Sequence, residues 1–458
     1  MNDGRRTTLL DRTLGRLNRV WRDVARQSAG PLAGTLGPDL GDDDVARLRG
    51  AMSACLERKG GAVSARARAA DLGRAYLGLD RDSRRRFLDI IAREFDVDSA
   101  AVDDAIGRFQ TTEGDGPRRA AAADLRLTLV PPWVTLLMQF NALPDGIKFL
   151  IDLREELAEI MGGDVSLRAL EADLKRLLAS WFDVGFLKLH RITWESPAGL
   201  LEKLVAYEAV HEIRSWDDLK NRLDSDRRCF AFFHPNMADE PLIFVEVALV
   251  EGMADSIQAL LDESAPAVDP EAADTAVFYS ISNAQNGLAG INLGNFLIKQ
   301  VVDELRHEFA NLKRFATLSP MPGFRSWLDA VLADGGGGLL APEGAKVLID
   351  LLDQSWPDNP DQAEALRAPL MRLGAHYLIK EKRGAGARDP VENFHLTNGA
   401  RLERINWLAD TSAKGLRQSA GLMVNYLYRL KDIEANHEAY SENGRIVASG
   451  QARNLLKS

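Results

Sequence analysis

Through the first part of the chain, apolar residues recur every three or four positions, which is the spacing of one face of an α-helix. The clearest helical runs are residues 43–58, 64–77, 82–95 and 143–161. Breaks fall at 30–41 and at 111–118, where glycine and proline end one helical run before another begins. Almost nothing here alternates like a strand, so the pattern predicts an all-helical bundle over residues 1–182.

The amino terminus has the same helical spacing and carries many arginines. Its apolar positions are Leu10, Leu14, Leu17, Trp21 and Val24. An arginine-rich amphipathic start is also typical of an organelle transit peptide, but such peptides are poor in acids, and Asp3, Asp11 and Asp23 interrupt this one. We interpret the segment as the first helix of the folded protein, with a targeting peptide as the alternative.

Beyond Trp181 the pattern changes, because short runs of β-branched and aromatic residues appear between helical patterns. The predicted strands are 229–233, 242–250, 275–281 and 315–318. The predicted helices are 294–309, 323–333, 363–380 and 412–430. Residues 262–274 and 335–338 are predicted surface loops. This alternation predicts a mixed α/β domain over residues 183–458 and, with the helical first part, an α+β fold class.

Composition narrows the function classes. The 458 residues include 57 basic and 67 acidic side chains, and the net charge of −10 disfavours general binding to nucleic acid. The most apolar stretch, 125–144, is interrupted by polar residues and prolines, so we expect no membrane span. Two cysteines, Cys55 and Cys229, are too few for a disulfide framework, which favours a reducing compartment. We expect a cytoplasmic protein.

A glycine-containing turn follows the predicted strand 277–281. Its sequence is Gln285-Asn286-Gly287-Leu288-Ala289-Gly290, and a helix is predicted to start near Asn292 or Gly294. Such a turn directs free backbone N–H groups and the positive end of the helix dipole at an anion. The spacing matches neither the P-loop nor the dinucleotide fingerprint, so a structural turn and a phosphate site stay equally open.

Two further residues stand in distinctive surroundings. Ser319 lies between a short strand and a turn bracketed by Pro320 and Pro322, and without context it is interpreted as a turn or capping serine. His395 lies in Asn393-Phe394-His395-Leu396-Thr397-Asn398-Gly399-Ala400, and a lone histidine is structural by default. No histidine pair has zinc-ligand spacing, so we expect no metal site.

Taken together and in order, these segments resemble the catalytic part of the malonyl-CoA decarboxylase family. The resemblance runs from about Cys229 to Tyr428 and rests on several motifs. They are Phe278-Tyr279-Ser280-Ile281-Ser282, Gly287-Leu288-Ala289-Gly290-Ile291-Asn292-Leu293-Gly294, Leu318-Ser319-Pro320-Met321-Pro322-Gly323-Phe324, the His395 motif, Arg404-Ile405-Asn406-Trp407 and Gly421-Leu422-Met423. The helical first part is also similar to the family's N-terminal domain, with fewer distinctive residues.

The resemblance implies a helical domain over 1–182 and a GNAT acyltransferase-like catalytic domain over 183–458. It also implies that Ser319 and His395 are the catalytic pair. The segment that would contact CoA is Ala289, Gly290, Ile291, Asn292, Leu293, Gly294 and Asn295. Some relatives carry Glu at the position of Asn292, so a carboxylate there is not required for the chemistry. A homo-oligomer, either a dimer or a dimer-based tetramer, is expected.

The expected reaction needs no cofactor, because loss of CO2 from malonyl-CoA leaves a carbanion that its own thioester stabilises as an enolate. The protein must bury the carboxylate, stabilise an oxyanion and deliver one proton. Our hypothesis is that His395 protonates the carbon, and that Ser319 binds the leaving carboxylate and is the proton-relay partner of His395. The alternative is a neutral imidazole that polarises the thioester oxygen. Candidate cations for CoA are Lys299, Arg306, Lys313, Arg314 and Arg325. The alternatives are a GNAT transferase acting on an amine and a non-catalytic CoA-sensing scaffold.

Overall fold

A computed structural model describes residues 21, 32, 35–37, 39–57, 61–182, 184–291, 294–352 and 356–457. The chain divides into two compact units. The helical unit comprises Met1–Leu187, His234–Glu240 and Gln285–Asn292, and the sheet unit comprises Lys188–Phe233, Pro241–Ala284 and Leu293–Ser458. The domain boundary predicted at residue 182 stays a prediction.

The helical unit is built as its apolar spacing predicts. Its described helices are α1 (Asp42–Leu56), α2 (Gly61–Gly78), α3 (Arg81–Glu94), α4 (Ser99–Thr111), α5 (Asp115–Thr128), α6 (Pro132–Asn141), α7 (Gly146–Ile160) and α8 (Val165–Trp181). Asp80, Asp98 and Asp164 cap α3, α4 and α8 by accepting backbone N–H groups, which stabilises the helix starts. The predicted break near 111–118 separates α4 from α5. Of the predicted first helix, only Trp21 lies within the described residues, and it is helical and buried.

The remaining elements alternate strands with helices, which confirms the α+β class. The strands are β1 (Lys188–Ile192), β2 (Arg227–His234), β3 (Met237–Val250), β4 (Thr275–Asn283), β5 (Arg314–Thr317), β6 (Ser319–Pro320), β7 (Lys382–Arg383), β8 (Gly386–Ala387), β9 (Arg401–Asn406) and β10 (Met423–Leu427). The helices are α9 (Ala198–Tyr207), α10 (Trp216–Asn221), α11 (Ile257–Leu260), α12 (Gly294–Glu308), α13 (Phe324–Ala333), α14 (Pro342–Leu352), α15 (Pro360–Ile379), α16 (Pro390–Thr397), α17 (Ala413–Ser419), α18 (Ile433–Asn443) and α19 (Gly450–Asn454). The loops predicted at 262–274 and 335–338 are present as loops.

Within the described residues, eight strands form one sheet in the order β1-β2-β3-β4-β5-β10-β6, and β9 pairs with β10. Strands β3 and β4 are antiparallel, whereas β4 and β5 are parallel. The parallel pairing ends at Phe278 and Thr317, while β4 continues to Asn283 beside β3 only. A bulge at Tyr279 marks the same place, since Glu246 pairs with Ser280 but Val247 pairs with Phe278. The two parallel strands therefore separate at their carboxyl ends.

One predicted element is wrong in its second half. Residues 412–430 were expected to form one helix, but α17 ends at Ser419 and β10 begins at Met423. Ala420 and Gly421 adopt positive φ angles of 49° and 77°, which end the helix. Strand β10 is buried along its whole length, so it lacks the alternation of polar and apolar residues by which a half-buried strand is recognised.

Candidate active site

A cavity of about 230 Å³ lies in the sheet unit beside the point where β4 and β5 separate. Its polar lining comes from Ser319, His395, Asn283 and Tyr279, and the rest of its lining is apolar. Ligand sites in open α/β sheets lie at the carboxyl ends of parallel strands, where such a gap opens. The cavity is therefore the candidate active site, and it contains both residues of the predicted catalytic pair.

Ser319 is held by the short strand that follows β5. In β6, Ser319 pairs with Val424 of β10, which fixes its backbone directly after Thr317 and Leu318. The Ser319 hydroxyl donates to Thr317 Oγ1 at 2.9 Å, and the backbone N–H of Tyr426 donates to the same oxygen at 3.1 Å. Ser319 is thus neither a turn nor a capping residue, and its oxygen is left able to accept a hydrogen bond.

His395 lies in the last turn of α16, and the sequence before it positions that helix. Asp389 caps the helix by accepting the N–H groups of Val391 and Glu392, and Pro390 occupies the first helical position. The imidazole is buried, and its Nε2 lies 3.0 Å from Ser319 Oγ. The structure therefore brings together two residues that are 76 positions apart in the chain.

Two tyrosines contact the imidazole, and sequence analysis assigned a role to neither. The hydroxyl of Tyr428 lies 2.8 Å from Nδ1 of His395. The ring of Tyr426 stacks on the imidazole with centroids 4.6 Å apart. Both residues belong to β10 or directly follow it, so the helix predicted over this segment concealed them. A buried Asn-Tyr-x-Tyr run (425–428) after the glycine was the available signal.

The site is electrically neutral. Burial lowers the pKa of His395 to about 3, so the imidazole is uncharged at neutral pH. Burial also raises the pKa of Tyr428 well above its ordinary value, so this hydroxyl keeps its proton. Tyr428 then donates to Nδ1, and Nε2 carries the ring proton and donates to Ser319 Oγ. Among the described residues, no charged side chain lines the cavity.

The predicted CoA segment begins in the helical unit. After the turn Asn286–Leu288, Gly290 has a φ of 73°, a conformation that favours glycine. Arg154 of α7 donates to the carbonyl oxygens of Gly287 at 2.6 Å and of Ala289 at 3.0 Å. This guanidinium fixes the turn, and sequence analysis did not identify it.

The rest of that segment belongs to the start of α12. Asn292 and Leu293 lie outside the described residues, and Gly294 begins the helix, with Asn295 in its first turn. The helix therefore starts where the glycine pattern predicted. Of the candidate cations, Arg314 is paired with Asp274 and Arg325 with Asp329. The contact of Ala289–Asn295 with CoA stays a prediction.

Fold and site together define an α+β protein with a mixed sheet and a buried serine–histidine site. The family description "Malonyl-CoA decarboxylase C-terminal domain" matches residues 185–458, and the corresponding N-terminal domain matches residues 95–182. The chain belongs to the malonyl-CoA decarboxylase family.

Individual relatives agree with this membership. The mitochondrial malonyl-CoA decarboxylase of Rattus norvegicus is 39% identical over 418 residues, covering 84% of this chain and 85% of the relative. That of Anser anser anser is 38% identical, covering 85% and 83%. The crystal structure of malonyl-CoA decarboxylase from Rhodopseudomonas palustris is 43% identical, with a TM-score of 0.85 over 90% of this chain and 99% of that one. The structure from Agrobacterium vitis has the same identity and coverage, with a TM-score of 0.84.

Proposed function

We propose that this protein decarboxylates malonyl-CoA to acetyl-CoA and CO2. The observation that carries the proposal is the contact between Ser319 and His395 inside an uncharged cavity of the sheet unit. Family membership supports the substrate, because the relatives are named as malonyl-CoA decarboxylases. The proposal makes the protein a carboxy-lyase that acts on a CoA thioester.

The lining of the cavity favours loss of CO2. A carboxylate that leaves water for an apolar cavity loses its hydration, and no cation among the described lining residues replaces that hydration. When the bond from the α-carbon to the carboxylate breaks, its electron pair moves into the enolate and the charge passes to the thioester oxygen. Hydrogen-bond donors already fixed in place stabilise that more diffuse charge without reorganising. The cavity thus disfavours the substrate anion more than the transition state.

Ser319 and His395 divide the remaining work. The Ser319 hydroxyl turns from Thr317 to the carboxylate as substrate binds, and the Nε2–H of His395, which donates to Ser319 Oγ in the free protein, turns to the enolate as it forms. The proton at Nε2 is then delivered to the α-carbon, giving the methyl group of acetyl-CoA. Tyr428 holds the tautomer that presents this proton, because its hydroxyl occupies Nδ1. As Nε2 gives up its proton, the Tyr428 hydroxyl passes its own proton to Nδ1, so the ring stays neutral. One proton from solvent then enters at Nε2 while the Nδ1 proton returns to the Tyr428 oxygen, which restores the site after each turnover.

The CoA moiety is bound by Ala289–Asn295. Gly290 leaves the backbone accessible, and the amino-terminal N–H groups of α12 suit the pyrophosphate. No metal or organic cofactor takes part, because the thioester itself accepts the electrons. Activity that survives dialysis against a chelator supports this last point, and activity restored only by added metal contradicts it.

The protein acts as a homo-oligomer, either a dimer or a dimer-based tetramer. Helices α4 and α5 pack on each other, yet α5 has no buried residue and α4 has only Ala105. Leu127 is 74% exposed, which suits a face that another copy covers. Light scattering of the intact protein and of Leu127→Glu measures the mass. A monomer in both contradicts the proposal.

The location is proposed to be cytoplasmic, although the curated relatives are named as mitochondrial. Among the described helices, none is both long and apolar enough to cross a bilayer. Imaging of the tagged full chain in its own cell, together with fractionation, tests the compartment.

The test of function is incubation of the purified protein with malonyl-CoA in deuterated water, without an amine acceptor. We expect acetyl-CoA that carries deuterium in its methyl group, detected by mass spectrometry. Ser319→Ala and His395→Ala should lose this product, while His437→Ala, at an exposed histidine of α18, should keep it. Malonyl-CoA that reacts only when an amine is added would establish an acyltransferase instead.

A further inference from the structure

A short loop of the sheet unit is held by side chains along nearly its whole backbone. The clamped loop, residues 208–212, follows α9 and contains Glu208, Ala209, Val210, His211 and Glu212. It has no regular secondary structure, so neighbouring backbone groups do not satisfy its hydrogen bonds. Side chains from β4, from the residue that follows α10 and from α17 do so instead, and the carboxylate of Glu208 also accepts hydrogen bonds from the loop.

Glu208 ties the loop to β4. Its carboxylate accepts the Ser280 hydroxyl at 2.8 and 2.9 Å and the Ser282 hydroxyl at 3.2 Å. The same carboxylate accepts the backbone N–H groups of Val210 at 2.7 Å and His211 at 2.8 Å. The loop's turn is therefore fixed to the strand that lines the cavity.

Two cations hold the carbonyl side of the loop. Lys414 Nζ donates to the carbonyl oxygens of Ala209 at 2.5 Å and Val210 at 2.9 Å. The Arg222 guanidinium donates to the carbonyl oxygens of His211 at 2.9 Å and Glu212 at 3.1 Å. Arg222 is itself buried and paired with two carboxylates, so its position is fixed.

The side chain that this loop contributes to the cavity is Val210, which lines the same space as Ser319 and His395. The other lining residues lie on or beside sheet strands and α16, whose backbones are fixed by regular hydrogen bonding. A loop that lines a cavity usually moves to accommodate a larger ligand, but here each residue from Ala209 to Glu212 has a backbone group that is hydrogen-bonded to a side chain. On the side of the cavity that this loop forms, the available space is therefore set by the size of the Val210 side chain and not by loop movement.

We propose that Val210, held by the clamped loop, is the residue that limits the size of the substituent on the α-carbon of the malonyl thioester. It favours the unsubstituted malonyl group over 2-alkylmalonyl groups such as 2-methylmalonyl. This inference rests on the proposed function and names the substrate class of the same site. An additional methylene against a fixed apolar wall changes kcat/KM by roughly 10- to 200-fold.

The test compares kcat/KM for malonyl-CoA and 2-methylmalonyl-CoA in the wild-type protein and in Val210→Ala and Val210→Leu. We expect Val210→Ala to raise the methylmalonyl-to-malonyl ratio at least about tenfold, and Val210→Leu to lower it. Val205→Ala is the matched control, because Val205 is a half-buried valine of α9 that packs away from the cavity. Its ratio should equal that of the wild type.

Weakening the hydrogen bonds that hold the clamped loop should also raise the methylmalonyl-to-malonyl ratio of kcat/KM. Lys414→Met keeps the length of the side chain but removes both carbonyl contacts, so we expect a smaller rise in the ratio. Unchanged ratios in both Val210 variants, with thermal unfolding as in the wild type, would overturn the inference while leaving decarboxylation intact. Equal losses on both substrates would overturn it too. A wild-type protein that turns over neither thioester would instead contradict the proposed function.

Discussion

Two hydrogen-bonded clusters of the sheet unit lie beside the cavity, one at its lining and one behind the loop that carries Val210, and they differ in charge. The catalytic cluster of Ser319, His395 and Tyr428 consists of neutral groups. The support of the clamped loop contains the buried cation Arg222, which pairs with Asp218 and Glu246. Burial raises the pKa of Glu246 to about 8. The charged groups therefore lie behind the loop that carries Val210, where ion-pair and hydrogen-bond partners satisfy them. The lining itself stays uncharged, as an enzyme must arrange if it removes a carboxylate by depriving it of solvation.

The largest effect is expected from His395→Ala, which removes the proposed proton donor. General acid action of this kind is typically worth about 100- to 10,000-fold, so kcat should fall by that factor. Acetyl-CoA formation measures it, and circular dichroism checks the fold. A variant that keeps near-normal turnover would show that the neutral cluster is structural and that the chemistry lies elsewhere.

Arg222 belongs to the charged support of the clamped loop, and Arg222→Met should lower the free energy of unfolding. Removing one partner of a buried ion pair leaves the buried carboxylates without their cation, which costs about 3–5 kcal/mol. Chemical denaturation gives the free energy of unfolding. Arg325→Met is the control, since its partner Asp329 is half exposed and such pairs are worth about 0–1 kcal/mol. If the two variants lost the same free energy of unfolding, the buried cluster around Arg222 would contribute no more to stability than an exposed surface pair.

Sequence patterns revealed some of this arrangement and missed the rest for physical reasons. Helices such as α1 and α3 were predictable because each buries one face, and the start of α12 was predictable from its glycines. Strand β10 was not, because burial on both sides removes the alternation that identifies a strand. The pairing of Ser319 with His395 came from the resemblance, since no local pattern links residues 76 positions apart.

The missed residues have the same explanation. Tyr428 contacts the imidazole only through the pairing of β10 within the sheet, which no local spacing encodes. Arg222 and Lys414 resemble ordinary surface cations in the sequence, and only the fold shows that they bond loop carbonyls. The residues that support the site are therefore identified only by long-range contacts in the fold, whereas several of the helices and strands around it were predictable from local patterns.

Tyr428→Phe should have an intermediate effect. It removes the hydroxyl bonded to Nδ1, so the ring is no longer held in the tautomer that presents Nε2–H, and an unpaired buried acceptor costs about 1–3 kcal/mol. We expect kcat to fall about tenfold or more with little change in KM. Tyr426→Phe is the matched control, since its hydroxyl has no hydrogen-bond partner among the residues that the structure describes, although its ring stacks on the same imidazole. Equal losses in both variants would assign the effect to ring packing and not to the hydroxyl.

The smallest expected effect is that of pH on the free enzyme, and it follows directly from the neutral character of the catalytic cluster. An ordinary histidine would gain its proton near pH 6.5, and kcat/KM, which reports groups of the free enzyme, would change there. Burial lowers the pKa of His395 to about 3, so the imidazole stays neutral as pH falls from 8 to 5. We therefore expect kcat/KM for malonyl-CoA to be flat, within about twofold, across that range.

Histidine 15N NMR of the free enzyme, with the His395 signal assigned from its loss in His395→Ala, should show no titration there. An inflection in kcat/KM near pH 6.5 that coincides with titration of this signal would mean that water reaches the imidazole. The catalytic cluster would then not be neutral throughout this range, and its contrast with the charged support of the clamped loop would be lost.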